Sequence, residues 1–193
     1  MEPKKRSISK AEVNALPLWR YEGQIVLLDS QAGVAEAAER LAATTLIGID
    51  TETRPAFRKG VSYPVALLQL ALPDIVYLVR LNNIGLPDSI RAVMESEDIK
   101  KVGIAPRDDI AELRRDFDCE PRGIIALEQI CRQRGYTVSS ARKLTALILG
   151  HRISKSQQTS NWAQPKLTGA QQAYAATDAW ICQAIYRHLH PER

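Results

Sequence analysis

The chain has 193 residues, 45% of them hydrophobic, with three cysteines, three histidines and a net charge of +4. This length and apolar content suit one globular domain; no apolar run approaches the roughly 18 residues of a membrane span, and no signal-peptide core follows the basic N-terminus. The scattered cysteines, with no CxxC pair, argue against a disulfide framework or zinc knuckle and for a reducing cytoplasm, the few histidines argue against a Ser–His–Asp hydrolase, and the charge favours an anionic partner such as nucleic acid.

The elements alternate along the chain. Residues 1–22 read as a tail or extension, with KKR at 4–6 a solvated basic run, and residues 23–193 as a single domain. QIVLLD (24–29) predicts a strand and the alanine-rich QAGVAEAAERLAAT a helix behind it. TLIGIDTE predicts a second strand. PVALLQLAL (64–72) and IVYLVRL (75–81), separated by Pro73 and Asp74, predict a hairpin and therefore an antiparallel pair. A helix opens at PDSIRAVMES, KKVGIA is a further strand, and DDIAELRRDF a further helix. Beyond Gly123 the chain reads as helical, with SSARKLTALILG ending at Gly150, a natural C-cap. The polar, irregular HRISKSQQTSNWAQPK follows, and Thr168 with Gln171 forms a capping box for a long last helix. The fold class expected is α/β, a mixed sheet flanked by helices with a helical C-terminal half.

Three places carry chemistry. In LIGIDTETRP an apolar strand ends with Asp50 and Glu52, which share one strand face about 7 Å apart at Cα. The pair either sits in a solvated loop or shares a hard divalent cation. In KKVGIAPRDDIAELRRDF a strand feeds a helix whose first turn holds Asp108 and Asp109. Acids there favour the helix dipole, yet a strand-to-helix corner also exposes active side chains. In TGAQQAYAATDAWICQAIYRHL, the residues Ala173, Ala176, Thr177, Trp180, Ile181, Ala184, Ile185 and Leu189 form the predicted core stripe. Tyr174 and Asp178, four apart, stack at its edge.

Taken together, GIDTE, VALLQL, VGIAPRDDIAELRRDF and SNWAQPKLTGAQQAYAATDAW resemble the DEDD superfamily of 3′–5′ exonucleases, tyrosine subtype, in the Werner-syndrome exonuclease and ribonuclease D branch. The resemblance spans about residues 24 to 190 and implies a ribonuclease-H-like fold. Asp109, eight residues before Phe117, matches the position of the branch's aspartate better than Asp108 does. It implies that Asp50, Glu52, Asp109 and Asp178 hold two divalent cations, Mg²⁺ or Mn²⁺. Asp50 would bridge them, Glu52 and Asp178 would complete the nucleophile's site, and Asp109 would hold the second ion through water. Tyr174 would orient the attacking water. The implied reaction releases nucleoside 5′-monophosphates from the 3′ end of single-stranded DNA or RNA. The alternative is a silent nucleic-acid-binding module with the same fold; a phosphotransferase of the haloacid-dehalogenase type is disfavoured, because Glu52 stands where that chemistry needs a second Asp.

Candidate substrate contacts are Thr51 and Thr53 beside the acids, Arg54, Arg58 and Lys59 after them, and Asn161 and Trp162 before the third motif, Trp162 being equally a packing anchor. Gln69 is either a hydrogen-bonded core residue or a side chain reaching towards the acids. Cys182 reads as core filling. Sequence assigns neither the preferred sugar nor an oligomeric state.

Overall fold

The computed structural model describes residues 6–58 and 60–191. Six strands form one mixed sheet in the order β1-β4-β3-β2-β5-β6. They are β1 (Gln24–Leu28), β2 (Leu46–Thr53), β3 (Val65–Ala71), β4 (Ile75–Val79), β5 (Lys100–Gly103) and β6 (Ile124–Ala126). The predicted hairpin is present as the antiparallel β3–β4 pair. β2 is antiparallel to β3 and parallel to β5, so the sheet changes character at β2. Strand β6 lies in the segment read from sequence as helical. Its three residues are half-buried and pair with β5 before the chain turns into a helix.

Helices cover both faces. They are α1 (Lys10–Ala15), α2 (Val34–Ala42), α3 (Leu81–Ile84), α4 (Asp88–Glu95), α5 (Arg107–Phe117), α6 (Leu127–Gln133), α7 (Ala141–Leu149) and α8 (Gly169–Leu189). One apolar cluster joins Ile47 and Ile49 of β2 to Ala37, Leu41, Ile90, Met94, Ile110 and Leu113 of α2, α4 and α5. On the opposite face, Leu67 and Ala71 of β3 pack with Ala175, Ala176 and Ala179 of α8. A third cluster joins α6, α7 and the end of α8. All of β3 and β4 is buried, as strands covered on both faces must be. By contrast β2 begins buried and ends half-buried, so its C-terminal end runs out of the core into an open pocket.

Helix α8 is held at its start by the predicted capping box of Thr168 and Gln171. Its buried surface is wider than the predicted stripe. Ala175, Ala179, Cys182 and Gln183 are also buried, while Ala173, Trp180 and Ala184 are only half-buried. The sheet, α7 and the N-terminal segment each cover part of it. The closest approach falls at Gly48, where a Cβ would lie 2.2 Å from the backbone oxygen of Ala179. Any larger side chain would lift α8 off β2.

The described N-terminal residues pack on the domain. A capping box of Ser9 and Glu12 starts α1. The chain then forms a strap: Trp19 N–H donates to the Arg152 carbonyl at 2.9 Å and Arg152 N–H to that of Pro17 at 3.0 Å. Tyr21 N–H donates to Thr177 Oγ1 at 3.0 Å, and the Trp19 ring lies 4.6 Å from that of Trp180. Of the predicted basic run at 4–6, only Arg6 is among the described residues.

Candidate active site

Asp50 and Glu52 leave the exposed end of β2 on the face that carries α8, while Ile47 and Ile49 before them anchor the opposite face. Asp178 comes down from α8. One oxygen from each of Asp50, Glu52 and Asp178 falls within 4.8 Å of the others. Oxygens that share one octahedral ion at about 2.1 Å lie about 3–4.2 Å apart, so this all-oxygen donor set fits a hard divalent cation.

Asp109 stands outside that group of three. It lies in the first turn of α5 and accepts a hydrogen bond from the Thr51 hydroxyl. Of the two neighbouring acids, Asp108 is exposed and Asp109 half-buried beside β2. The corner that presents them is strained: Ala105 has φ 53°, a left-handed conformation costing a residue with Cβ about 1–2 kcal/mol. Its N–H is held by Glu128 Oε2 at 2.7 Å. Backbone strain concentrates where the surroundings fix a functional geometry.

Crowding and burial change the acids' chemistry. Burial, then the charges of Asp178, Asp109 and Glu52, push the Asp50 carboxyl well above its ordinary value. Burial and the neighbouring charges of Asp178 and Asp109 raise Glu52 to about 9. Asp178 is raised to about 7 by burial, against the Tyr174 hydrogen bond and the Lys155 charge, which favour its ionised form. Burial also lifts Asp109, opposed by the Thr51 hydrogen bond. The Tyr174 hydroxyl, buried and beside Asp178 and Glu52, is raised above its ordinary value and stays protonated at neutral pH. Four acids held this way favour anything that supplies positive charge at their centre.

Asp50, Glu52, Asp178 and Tyr174, but not Asp109, line a cavity of about 290 Å³ together with Ser140, Arg142, Lys155 and Gln158. Sequence reading passed over Ser140 and Arg142. The available signal was a serine followed by two cations at the start of a helix. Arg142 reaches back to Asn14 Oδ1 at 2.6 Å, which ties α1 to the cavity wall. On the far side of Tyr174 and Asp178, a hollow of about 170 Å³ is lined in part by Leu18, Trp19 and Arg20 of the strap.

The predicted substrate contacts are placed unevenly. The Thr51 hydroxyl is engaged with Asp109, and Thr53 follows a register shift at the end of β2. Arg54 stacks over the Tyr63 ring at 4.7 Å, and both line a hollow of about 400 Å³ with exposed Phe57, Arg58 and Asn161. Lys59 lies outside the described residues. Trp162 requires a correction: it has no exposed surface, so it cannot meet substrate and instead packs its ring 5.9 Å from that of Tyr174. Cys182 is buried, as expected, with its thiol donating to the Asp178 carbonyl at 3.3 Å.

The family model for 3′–5′ exonuclease matches residues 25–193. The chain belongs to the 3′–5′ exonuclease family. It is similar to the mouse bifunctional 3′–5′ exonuclease/ATP-dependent helicase WRN, 29% identical over 90% of this chain and 13% of that protein. It is 32% identical to the human exonuclease 3′–5′ domain-containing protein 2 over 75% of this chain and 25% of that protein. The chain thus spans about an eighth to a quarter of these relatives. Among solved structures, the Aedes aegypti Nibbler EXO domain superposes with a TM-score of 0.76 at 27% identity, covering 90% of each chain. Escherichia coli RNase D shares the fold at a TM-score of 0.77, with 22% identity over 88% of this chain and 44% of that one. The ribonuclease-H-like mixed sheet expected from sequence is therefore the fold observed.

Proposed function

We propose that this chain is a metal-dependent 3′–5′ exonuclease that removes nucleoside 5′-monophosphates from the 3′ end of a nucleic acid. The observation that carries the reading is the trio of carboxylates within 4.8 Å, set beside a protonated tyrosine in a cavity that Arg142 and Lys155 also line. A crystal structure of the EXD2 exonuclease domain soaked in Mn and GMP, 28% identical with a TM-score of 0.50, supports a divalent metal here. Membership of the family and the all-oxygen donor set support the same metal here.

Asp50, Glu52, Asp109 and Asp178 are the residues that would hold a pair of such ions. Such a pair supplies an activated water on one side of the phosphodiester and charge stabilisation of the leaving 3′-oxygen on the other. The chain's own residues do the rest. Tyr174 holds its proton and orients the water by hydrogen bonding. Asp178, bonded to that hydroxyl, fixes the ring's position. Lys155 and Arg142 line the same cavity as Asp50, Glu52 and Asp178, and the substrate's phosphates would run beside them. Residues 23–193 form the nuclease domain on this reading, and Arg54, Arg58 and Asn161 meet the strand as it leaves.

The test uses 5′-labelled DNA and RNA strands of matched sequence in Mg²⁺, Mn²⁺ or EDTA, with Asp50→Ala as control. A metal-dependent ladder shortening from the 3′ end, absent in the variant, is expected, and the faster ladder identifies the preferred sugar. Intact strands that the protein nonetheless retains would replace the exonuclease by a binding module.

A further inference from the structure

One buried polar group beside the acids has no role in this chemistry. Gln69, in the middle of β3, has no exposed surface, and neither Oε1 nor Nε2 has a hydrogen-bond partner. Buried amides ordinarily find one. Side chains alternate along a strand, and Leu67 and Ala71 on either side of Gln69 belong to the cluster beneath α8, so Gln69 faces α8 as well. In register it stands opposite Asp50 on β2 and Leu78 on β4. Directly opposed residues have Cβ atoms about 4.5–5.5 Å apart, within reach of a glutamine amide and a carboxylate.

Trp162 Nε1 and the Tyr21 hydroxyl are also buried in this cluster without a partner, but neither lies on a strand beside β3. The fully buried α8 residues of this cluster, Ala175, Ala176 and Ala179, carry no polar side-chain atom, while Trp180 Nε1 donates to the Pro73 carbonyl and the Tyr174 hydroxyl is bonded to Asp178. The nearby Thr177 hydroxyl already accepts from Tyr21 N–H and donates to the Ala173 carbonyl. Asp50 is the one polar side chain in register with Gln69.

We propose that Gln69 is a positioning residue for the metal-holding carboxylate: its Nε2, which has no partner in the structure, would donate to Asp50 once a cation is held there and so fix the direction in which the remaining lone pairs face that cation. The inference rests on the reading that Asp50 binds a divalent ion. An ionised carboxylate offers about four lone-pair sites, so one donor leaves room for bridging. Hydrogen bonds to a metal ligand orient it, and losing one typically costs about 10–100-fold in affinity.

Gln183 supplies the internal control. It is equally buried and unpartnered, but its backbone lies over Gly48 rather than over Asp50. Mn²⁺ binding would be followed by electron paramagnetic resonance without substrate, for the unaltered chain, Gln69→Met and Gln183→Met, with melting in EDTA alongside. Gln69→Met is expected to melt no lower than the unaltered chain, to bind Mn²⁺ about 10–100-fold more weakly, and to need correspondingly more metal for half-maximal cleavage at unchanged KM for the strand. Gln183→Met should bind like the unaltered chain. Unaltered Mn²⁺ affinity in Gln69→Met, or an equal loss in Gln183→Met, would overturn the proposal. If Gln69→Met does not fold, Gln69→Asn decides: its donor is withdrawn by one methylene, so weaker binding supports the proposal and unaltered binding overturns it. An unaltered chain that binds no Mn²⁺ would overturn the metal-dependent reading itself, a result separate from either variant.

Discussion

At the scale of single residues, the site is built from groups that disfavour one another until a cation arrives. In EDTA, Asp50→Asn should abolish cleavage yet raise the melting temperature by about 2–4 °C, because about 1 kcal/mol of like-charge repulsion is relieved. The pH dependence follows from the same crowding. Glu52 is raised to about 9 and Asp178 to about 7, whereas an unfolded carboxyl titrates near 4. Between about pH 5 and 8 the folded state therefore holds more protons than the unfolded one, and stability falls as pH rises. Calorimetry in EDTA should show that decline, and saturating Mn²⁺ should flatten it. Burial of Lys101 lowers it to about 8, and this works in the opposite direction only above that pH. Asp109→Asn is expected to slow cleavage by about 10²-fold or more, a few kcal/mol of lost transition-state stabilisation. Exposed Asp108→Asn should leave the rate within about twofold, which single-turnover kinetics would resolve.

At the scale of elements, the strand-end acids depend on how closely α8 can lie. Gly48→Ala puts a Cβ against the Ala179 carbonyl, a backbone contact that no side-chain rotation relieves. About 3 kcal/mol of destabilisation is expected in urea unfolding, with lost activity as Asp178 moves away from Asp50. The elements differ in how openly the sequence announces them. β2, β3 and β4 are long apolar runs bounded by turn residues, and α8 carries a complete capping box, so local signals suffice. Strand β6 is three residues long and half-buried, too short for any periodicity, and exists only because β5 offers it an edge. The extra burial on α8 comes from three neighbours that are distant in sequence. That Asp50, Glu52 and Asp178 come together beside Tyr174 is expected from sequence because oxygen-rich side chains at fixed spacing recur in a known pattern. Arg142 and the buried state of Trp162 are not, because the first depends on the pairing of α7 with α1 and the second on the folding of an irregular loop over α8.

At the scale of the whole molecule, a net charge of +4 coexists with a carboxylate-rich centre, and on the proposed function the surrounding cations would steer an anionic strand inward. KM for a single-stranded oligonucleotide should rise steeply with KCl while kcat changes little. Arg58→Ala should reduce the slope of log KM against log salt by about 0.7 if it meets one phosphate. The N-terminal strap contributes through the cavity's far wall. Trp19→Ala is expected to cost about 2 kcal/mol in urea unfolding, from the lost ring contact with Trp180. It should raise KM more than it lowers kcat, since the strap holds the Arg152 segment that leads to Lys155.

The seating of α8 on Gly48 also imposes an order on synthesis. A ribosome completes β2 and α5 long before it reaches Asp178, and domains fold as their sequence emerges. Until residues 169–189 have left the exit tunnel, Asp50 and Glu52 lack their third carboxylate and the tyrosine beside it. On the proposed function, a chain interrupted before that point would carry an incomplete cation site and no means to cut.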